Sequence, residues 1–238
     1  MRKKKILWLL LAVFILSCAA SSPLERIKRQ LNKYPEYSIQ LEDMKEEGNF
    51  FKDYYHRYKI VYGEKLGGSE ELEYQSAITD WYKVKKKEFE KYANNLGMVL
   101  VSKGADGKIA DVQYPPGYQY VGDSRYGSWR RDESGNSFWE FYGKYAFFSH
   151  MFGMFSRPIY RSDWNTYRDY RSQGRPYYGT NRQYGTNGNY TKRTNKSFYE
   201  RRQQKELARK ARFTQKVKQR ARRSRMSDFR RRSGGFGK

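Results

Sequence analysis

Tyr54-Tyr55-His56-Arg57-Tyr58-Lys59-Ile60-Val61-Tyr62 is the stretch on which the fold turns. Its even positions form one continuous aromatic and apolar face, the period of two that marks a strand with one buried side. Upstream, Tyr37-Ser38-Ile39-Gln40-Leu41 alternates in the same way. Downstream, Leu72 to Val84 keeps the period, broken at Ser76 and Asp80. Gly48-Asn49 and Gly67-Gly68 lie between the segments as turn material. Together they predict an antiparallel meander.

Working outward, Pro23 to Tyr34 reads as a helix with Leu24, Ile27, Lys28 and Leu31 on one face. Phe89, Tyr92, Ala93 and Leu96 recur at helical spacing, and Gly97 can close that helix in a left-handed cap. Met98–Val101 and Ile109–Val112 flank Asp106-Gly107, a hairpin signal. Pro115-Pro116-Gly117 then opens a loop rich in Tyr, Gly and Trp. Ser137-Phe138-Trp139-Glu140 matches a capping box and predicts a helix running to about Phe155, apolar nearly all round. Such a helix covers the sheet or lies in a membrane interface. The expected fold class is α+β: an antiparallel meander with hairpins, covered by one or two helices, over residues 24–155. Residues 156–195, with Tyr-Gly-Thr-Asn near-repeats at 178–181 and 184–187, read as a disordered low-complexity linker. Residues 196–238 read as a basic tail, disordered to helical, with a thin stripe of Leu207, Ala211, Phe213, Val217 and Ala221.

The amino terminus has a basic start (Arg2, Lys3, Lys4, Lys5) and an apolar run from Ile6 to Leu16, the layout of a secretory signal. Ile15-Leu16-Ser17-Cys18 contains the only cysteine of the chain and resembles the lipobox of bacterial lipoproteins. The resemblance implies removal of residues 1–17 and lipidation of Cys18, with residues 18–23 as a short linker. It also implies a membrane-attached protein of the cell envelope, outside the cytoplasm. Ala19 in place of an aspartate implies the outer membrane in a source that has two. With Cys18 spent on lipid, no intrachain disulfide is available, and stability must come from packing.

Of the formal net charge of +24, 16 units lie in residues 192–238, which hold 19 basic and 3 acidic groups. The remainder is close to neutral, so the charge belongs to the tail. Arg220, Arg222, Arg223, Arg225, Arg230, Arg231 and Arg232 are the candidate residues for an anionic surface. Outside the cytoplasm the partners would be anionic lipid, lipopolysaccharide or another polyanion; nucleic acid is the alternative. Tyr120, Tyr126, Trp129, Arg130, Arg131 and Trp139 form a second candidate, a ligand surface of hot-spot residue types.

Nothing in the sequence reads as an enzyme, a cofactor site or a metal site. His56 and His150 lack carboxylate or thiolate companions at ligand spacing. Asp123, Asp132 and Glu133 are carboxylates through which a polysaccharide-active protein would work. The expected role is therefore non-enzymatic adsorption to the envelope.

Overall fold

The computed structural model describes residues 21–232 except 49, 66–70 and 153–157, with side chains described as far as residue 223. The expected signal peptide, Cys18, Asn49, the Gly67-Gly68 turn and residues 233–238 lie outside the described residues. The chain divides into two compact units, one ending at Asn195 and the other beginning at Lys196.

The first unit is α+β. Helix α1 (Pro23–Leu31) starts at Ser22, whose hydroxyl accepts from the Glu25 amide at 3.3 Å, a side-chain cap for an otherwise orphaned N–H. Strands β1 (Glu36–Glu47), β2 (Asp53–Lys65) and β3 (Leu72–Ile78) form the meander, and β4 (Tyr82–Val84) pairs with the start of β2. Helix α2 (Lys86–Lys91) leads to the hairpin of β5 (Val99–Lys103) and β6 (Ile109–Ala110). The antiparallel order is β3-β2-β1-β5-β6, with β1 central. Gly97 does not close this helix as expected: the helix ends at Lys91 with Tyr92 as its C-cap, and Gly97, at φ +73°, lies in the following turn, where the Met98 amide donates to the Asn95 carbonyl.

Strand register assigns the two faces, because directly paired residues share a side. Tyr37, Ile39 and Leu41 pair with Tyr62, Ile60 and Tyr58. Over this face lie the helices: the Tyr34 ring, just past α1, packs on Tyr62 at 4.3 Å, and Phe89 of α2 stacks on His56 at 5.4 Å. Glu36, Ser38 and Gln40 face the other way beside Gly63, Val61 and Lys59. The meander therefore does not have one wet side. Val61 is fully buried although it lies off the even-numbered face, because a second layer covers the reverse of the sheet.

That second layer comes from residues expected to do something else. Instead of a helix over 137–155, Ser137–Phe141 is a strand, β8, paired with β7 (Gly127–Arg131). A 3-10 turn (Gly143–Tyr145) and the short helix α3 (Phe147–Met151) follow. The capping-box match at Ser137 misled because Glu140 reaches across the hairpin to Arg130 at 2.8 Å rather than back along a helix. Asp132 accepts from the amides of Ser134 and Asn136, and Gly135 takes φ +82°, so residues 132–136 form a hairpin turn. Trp129 and Trp139 sit directly opposite each other, rings 5.1 Å apart, a cross-strand pair that favours strand over helix.

Of the expected disordered linker 156–195, residues 158–195 are described and are folded. Helix α4 spans Arg161–Ser172 and α5 spans Asn189–Thr194, while Ile159, Tyr167 and Tyr177 join the core. The near-repeats supply two matching turns, Gly179 at φ +82° and Gly185 at φ +80°. Thr186 accepts from the Leu96 amide and donates to the Ala93 carbonyl, and Asn195 Nδ2 donates to the Glu42 carbonyl. The tract has one aliphatic core residue, Ile159, and its rings bury enough area to order it. The first unit thus extends to Asn195, beyond the expected boundary at 155.

The second unit is one helix, α6 (Lys196–Arg232), 37 residues long. Among the described residues no helix is long and apolar enough to cross a membrane.

Candidate anion-binding sites

The structure sorts the sequence-predicted ligand surface into core and rim. Tyr120, Tyr126 and Trp139 are buried members of the aromatic core, Tyr120 only 1% exposed. They were expected on a surface and are not there, because they face the reverse of the sheet. Trp129 is half-buried against Trp139 and Trp164; Arg130 and Arg131 are exposed, Arg130 in its pair with Glu140.

Tyr126 instead belongs to a buried polar cluster. Its hydroxyl donates to Glu36 Oε1 at 2.8 Å, the Tyr74 hydroxyl donates to Glu36 Oε2 at 3.1 Å, and the two hydroxyls are 2.8 Å apart. Burial pushes the Glu36 carboxyl above its ordinary range, opposed by the Tyr126 hydrogen bond, the Arg125 charge and the Tyr74 hydrogen bond. The cluster ties β1, β3 and the loop before β7 together, a structural role for a buried acid.

The carboxylates considered for catalysis are engaged in turns. Burial would raise Asp123, but hydrogen bonds from the Arg125 side chain and amide outweigh it and hold the group below its ordinary value. A locked anion is a poor general acid. Asp132 organises the β7–β8 turn, and Glu133 is exposed beside it. His56 is fully buried, its Nδ1 3.2 Å from the Tyr58 hydroxyl, and burial lowers its pKa to about 4. His150 is exposed on α3. Among the described residues no group of three or more His, Cys, Asp or Glu side chains is placed to hold a metal ion.

Helix α6 carries the charge. From Arg202 to Arg223 every residue is exposed, including Arg220, Arg222 and Arg223. Arg225, Arg230, Arg231 and Arg232 continue the helical backbone, their side chains outside the described set. Leu207, Phe213 and Val217 are exposed, Phe213 at 69%. They fall within an arc of about 120° at 3.6 residues per turn. The Arg202–Glu206 pair, 3.8 Å apart and open to solvent, offsets little of the repulsion among the cations.

A second basic feature escaped the sequence reading. Arg168 and Arg171 lie one turn apart on α4, beside a groove of about 920 Å³ lined also by Gln119, Trp164, Asn165, Asp169 and Ser172. The Arg168 guanidinium sits over the Trp164 ring at 4.8 Å. Arg171 donates to the Tyr167 hydroxyl at 3.0 Å and lies 5.9 Å from the centre of the Tyr114 ring. The signal in Trp164-x3-Arg168 and Tyr167-x3-Arg171 was the four-residue spacing of ring and cation, hidden by treating the segment as linker.

No protein-family model matches this chain, and no curated protein or solved structure is measurably similar to it.

Proposed function

We propose that the protein is a non-enzymatic lipoprotein of the bacterial cell envelope, anchored through lipid on Cys18, whose basic carboxyl-terminal helix adsorbs to an anionic lipid surface. The observation that carries this reading is α6, exposed on every side from Arg202 to Arg223, with Leu207, Phe213 and Val217 among the cations. A basic helix with a modest apolar arc is the type that settles in the headgroup region of an anionic bilayer, arginines on phosphate and apolar side chains below it. The lipidated terminus is a stable but local anchor, and the basic helix adds electrostatic grip on the anionic surface, raising affinity through effective concentration. Outer-membrane placement follows by the same reading where the source has two membranes.

Co-sedimentation of full-length protein with phosphatidylglycerol-containing vesicles, across a salt series, tests the helix. Each basic residue at an anionic surface contributes about 1 kcal/mol, so Arg220→Gln, Arg222→Gln and Arg223→Gln combined should weaken binding by about two orders of magnitude. In the unlipidated Cys18→Ala protein, neutral phosphatidylcholine vesicles should bind far more weakly than anionic ones and without a salt dependence. Stronger binding to duplex DNA than to anionic vesicles at equal salt would replace the proposal with the nucleic-acid reading. In cells, labelled palmitate should mark the wild type and not Cys18→Ala.

A further inference from the structure

The groove beside α4 has no part in the lipid-surface reading. Arg168 is exposed and Arg171 half-buried; among the described residues neither forms a salt bridge within 4 Å, although the Asp106 charge acts on Arg171. Both are nevertheless held in place, Arg168 by the Trp164 ring and Arg171 by the Tyr167 hydroxyl and the Tyr114 ring. Cations fixed in position without a direct ion pair are pre-organised to receive an anion, because little side-chain entropy remains to be lost on binding.

Trp164 is itself fixed. A Cβ on Gly122 would lie 2.1 Å from its ring, so the Gly122 backbone packs directly against the indole. Gly122 has φ +84° and is the residue that permits this approach. Trp129 closes another side with its ring 5.5 Å away. At the groove floor, Gln119 Oε1 accepts from the Tyr114 hydroxyl at 2.6 Å, while its buried Nε2 has no acceptor at hydrogen-bond geometry.

The lining distinguishes among anions. Asn165, Asp169, Ser172 and Gln119 stand beside the two arginines. A carboxylate in the groove disfavours a chain of pure phosphate charge but accepts hydrogen bonds from hydroxyls. Asn and Gln both donate and accept, as sugar hydroxyls require, and the Ser172 hydroxyl, which donates to the Asp169 carbonyl at 2.8 Å, remains free to accept. No open aromatic platform is offered for a nucleobase, since the Trp164 ring is covered by Arg168 and Gly122. The volume is that of a site for a ligand of several rings. We infer that the groove between α4 and residues 118–121 binds an acidic oligosaccharide, with Arg168 and Arg171 on sugar carboxylates and Asp169, Asn165 and Ser172 on its hydroxyls.

The test is calorimetric titration of the full-length chain with a uronic-acid hexasaccharide, a neutral hexasaccharide and hexaglutamate. All measurements use a background carrying Arg220→Gln, Arg222→Gln and Arg223→Gln, which weakens the competing charge of α6. The acidic sugar should bind, and both controls should bind at least about tenfold more weakly, since each lacks half of the complementary chemistry. Arg168→Gln, an exposed change outside the core, should weaken the acidic sugar by about tenfold to a hundredfold, with an unchanged near-UV spectrum. Asp169→Ala should lower its affinity for the sugar while raising that for hexaglutamate. Equal binding of hexaglutamate and acidic sugar in the parent, or full affinity after Arg168→Gln, would overturn the inference. A single-stranded oligonucleotide that outcompetes the acidic sugar would also overturn it.

Discussion

On the helix-covered face of the sheet, Ile39 and Leu41 meet Tyr58 under Leu24, Ile27 and Leu31, all buried. On the reverse face the contacts are ring on ring. Phe148 alone has seven rings within 6.3 Å, from Tyr74, Tyr120, Tyr126, Phe141, Tyr145, Phe147 and Phe152. Facing those rings the sheet offers Glu36, Ser38 and Gln40 beside Val61 and Val99, so polar side chains share the face with two small aliphatic ones. One side packs by volume, and the other packs by ring geometry and hydroxyl hydrogen bonds. The two kinds of core have different tolerances: a ring layer must seat polar atoms as well as fill space.

The comparison is sharpened most by deleting one residue from each side. Phe148→Ala should cost about 3–5 kcal/mol and Ile39→Ala about 2–5 kcal/mol, read by urea unfolding. A loss under 1 kcal/mol for Phe148→Ala would show that the ring layer does not stabilise the unit.

Acid should separate the faces by sign. His56 is held neutral by the fold, with its pKa lowered from 6.5 to about 4. The unfolded chain takes up the proton first, so stability should fall by roughly 3 kcal/mol as pH drops from 6.5 to 4. His56→Phe should remove that loss. Glu36 has the opposite linkage. Its folded pKa is raised above 4.5, so the unfolded chain ionises first, and stability is lost as pH rises from 4.5 through the folded value. Glu36→Gln should flatten that limb alone. Identical stability profiles for the two variants would break the comparison.

The smallest effect concerns how far the ring layer reaches. Thr186→Val keeps shape but leaves the Leu96 amide and Ala93 carbonyl without their side-chain partner, an expected loss of about 1–3 kcal/mol. Cleavage by trypsin within residues 173–195 should accelerate accordingly. Rapid cleavage there in the unaltered protein would return the tract to the status of a linker.

The legibility of the sequence follows the same division. Where apolar residues alternate with polar ones, as at 37–41, one period is possible, and the strands of the meander could be read. Phe138, Trp139, Phe141 and Tyr142 satisfy helix and strand periods alike, so a short capping match decided wrongly against the Asp132–Asn136 turn. The tract after Ser156 was misread because disorder rules count aliphatic residues, whereas Tyr167, Tyr177 and Tyr184 do the burying. Of the candidate sites, the basic helix was visible as charge density. The α4 groove was not, since Gln119 and Arg171 come together only through the fold.

The distribution of indoles also makes the molecule its own spectroscopic probe. Trp139, Trp129 and Trp164 form a chain with successive rings 5.1 and 5.5 Å apart, at steep angles to one another. Neighbouring indoles in that arrangement couple their electronic transitions, and nearby tyrosines transfer excitation to them. Trp81 stands apart, flanked by Lys45 at 4.5 Å and Arg57 at 5.0 Å at the margin of the sheet. Among the described residues, light is therefore reported from two places. The exciton signal follows assembly of the ring layer, and the Trp81 emission follows the sheet, without any attached dye.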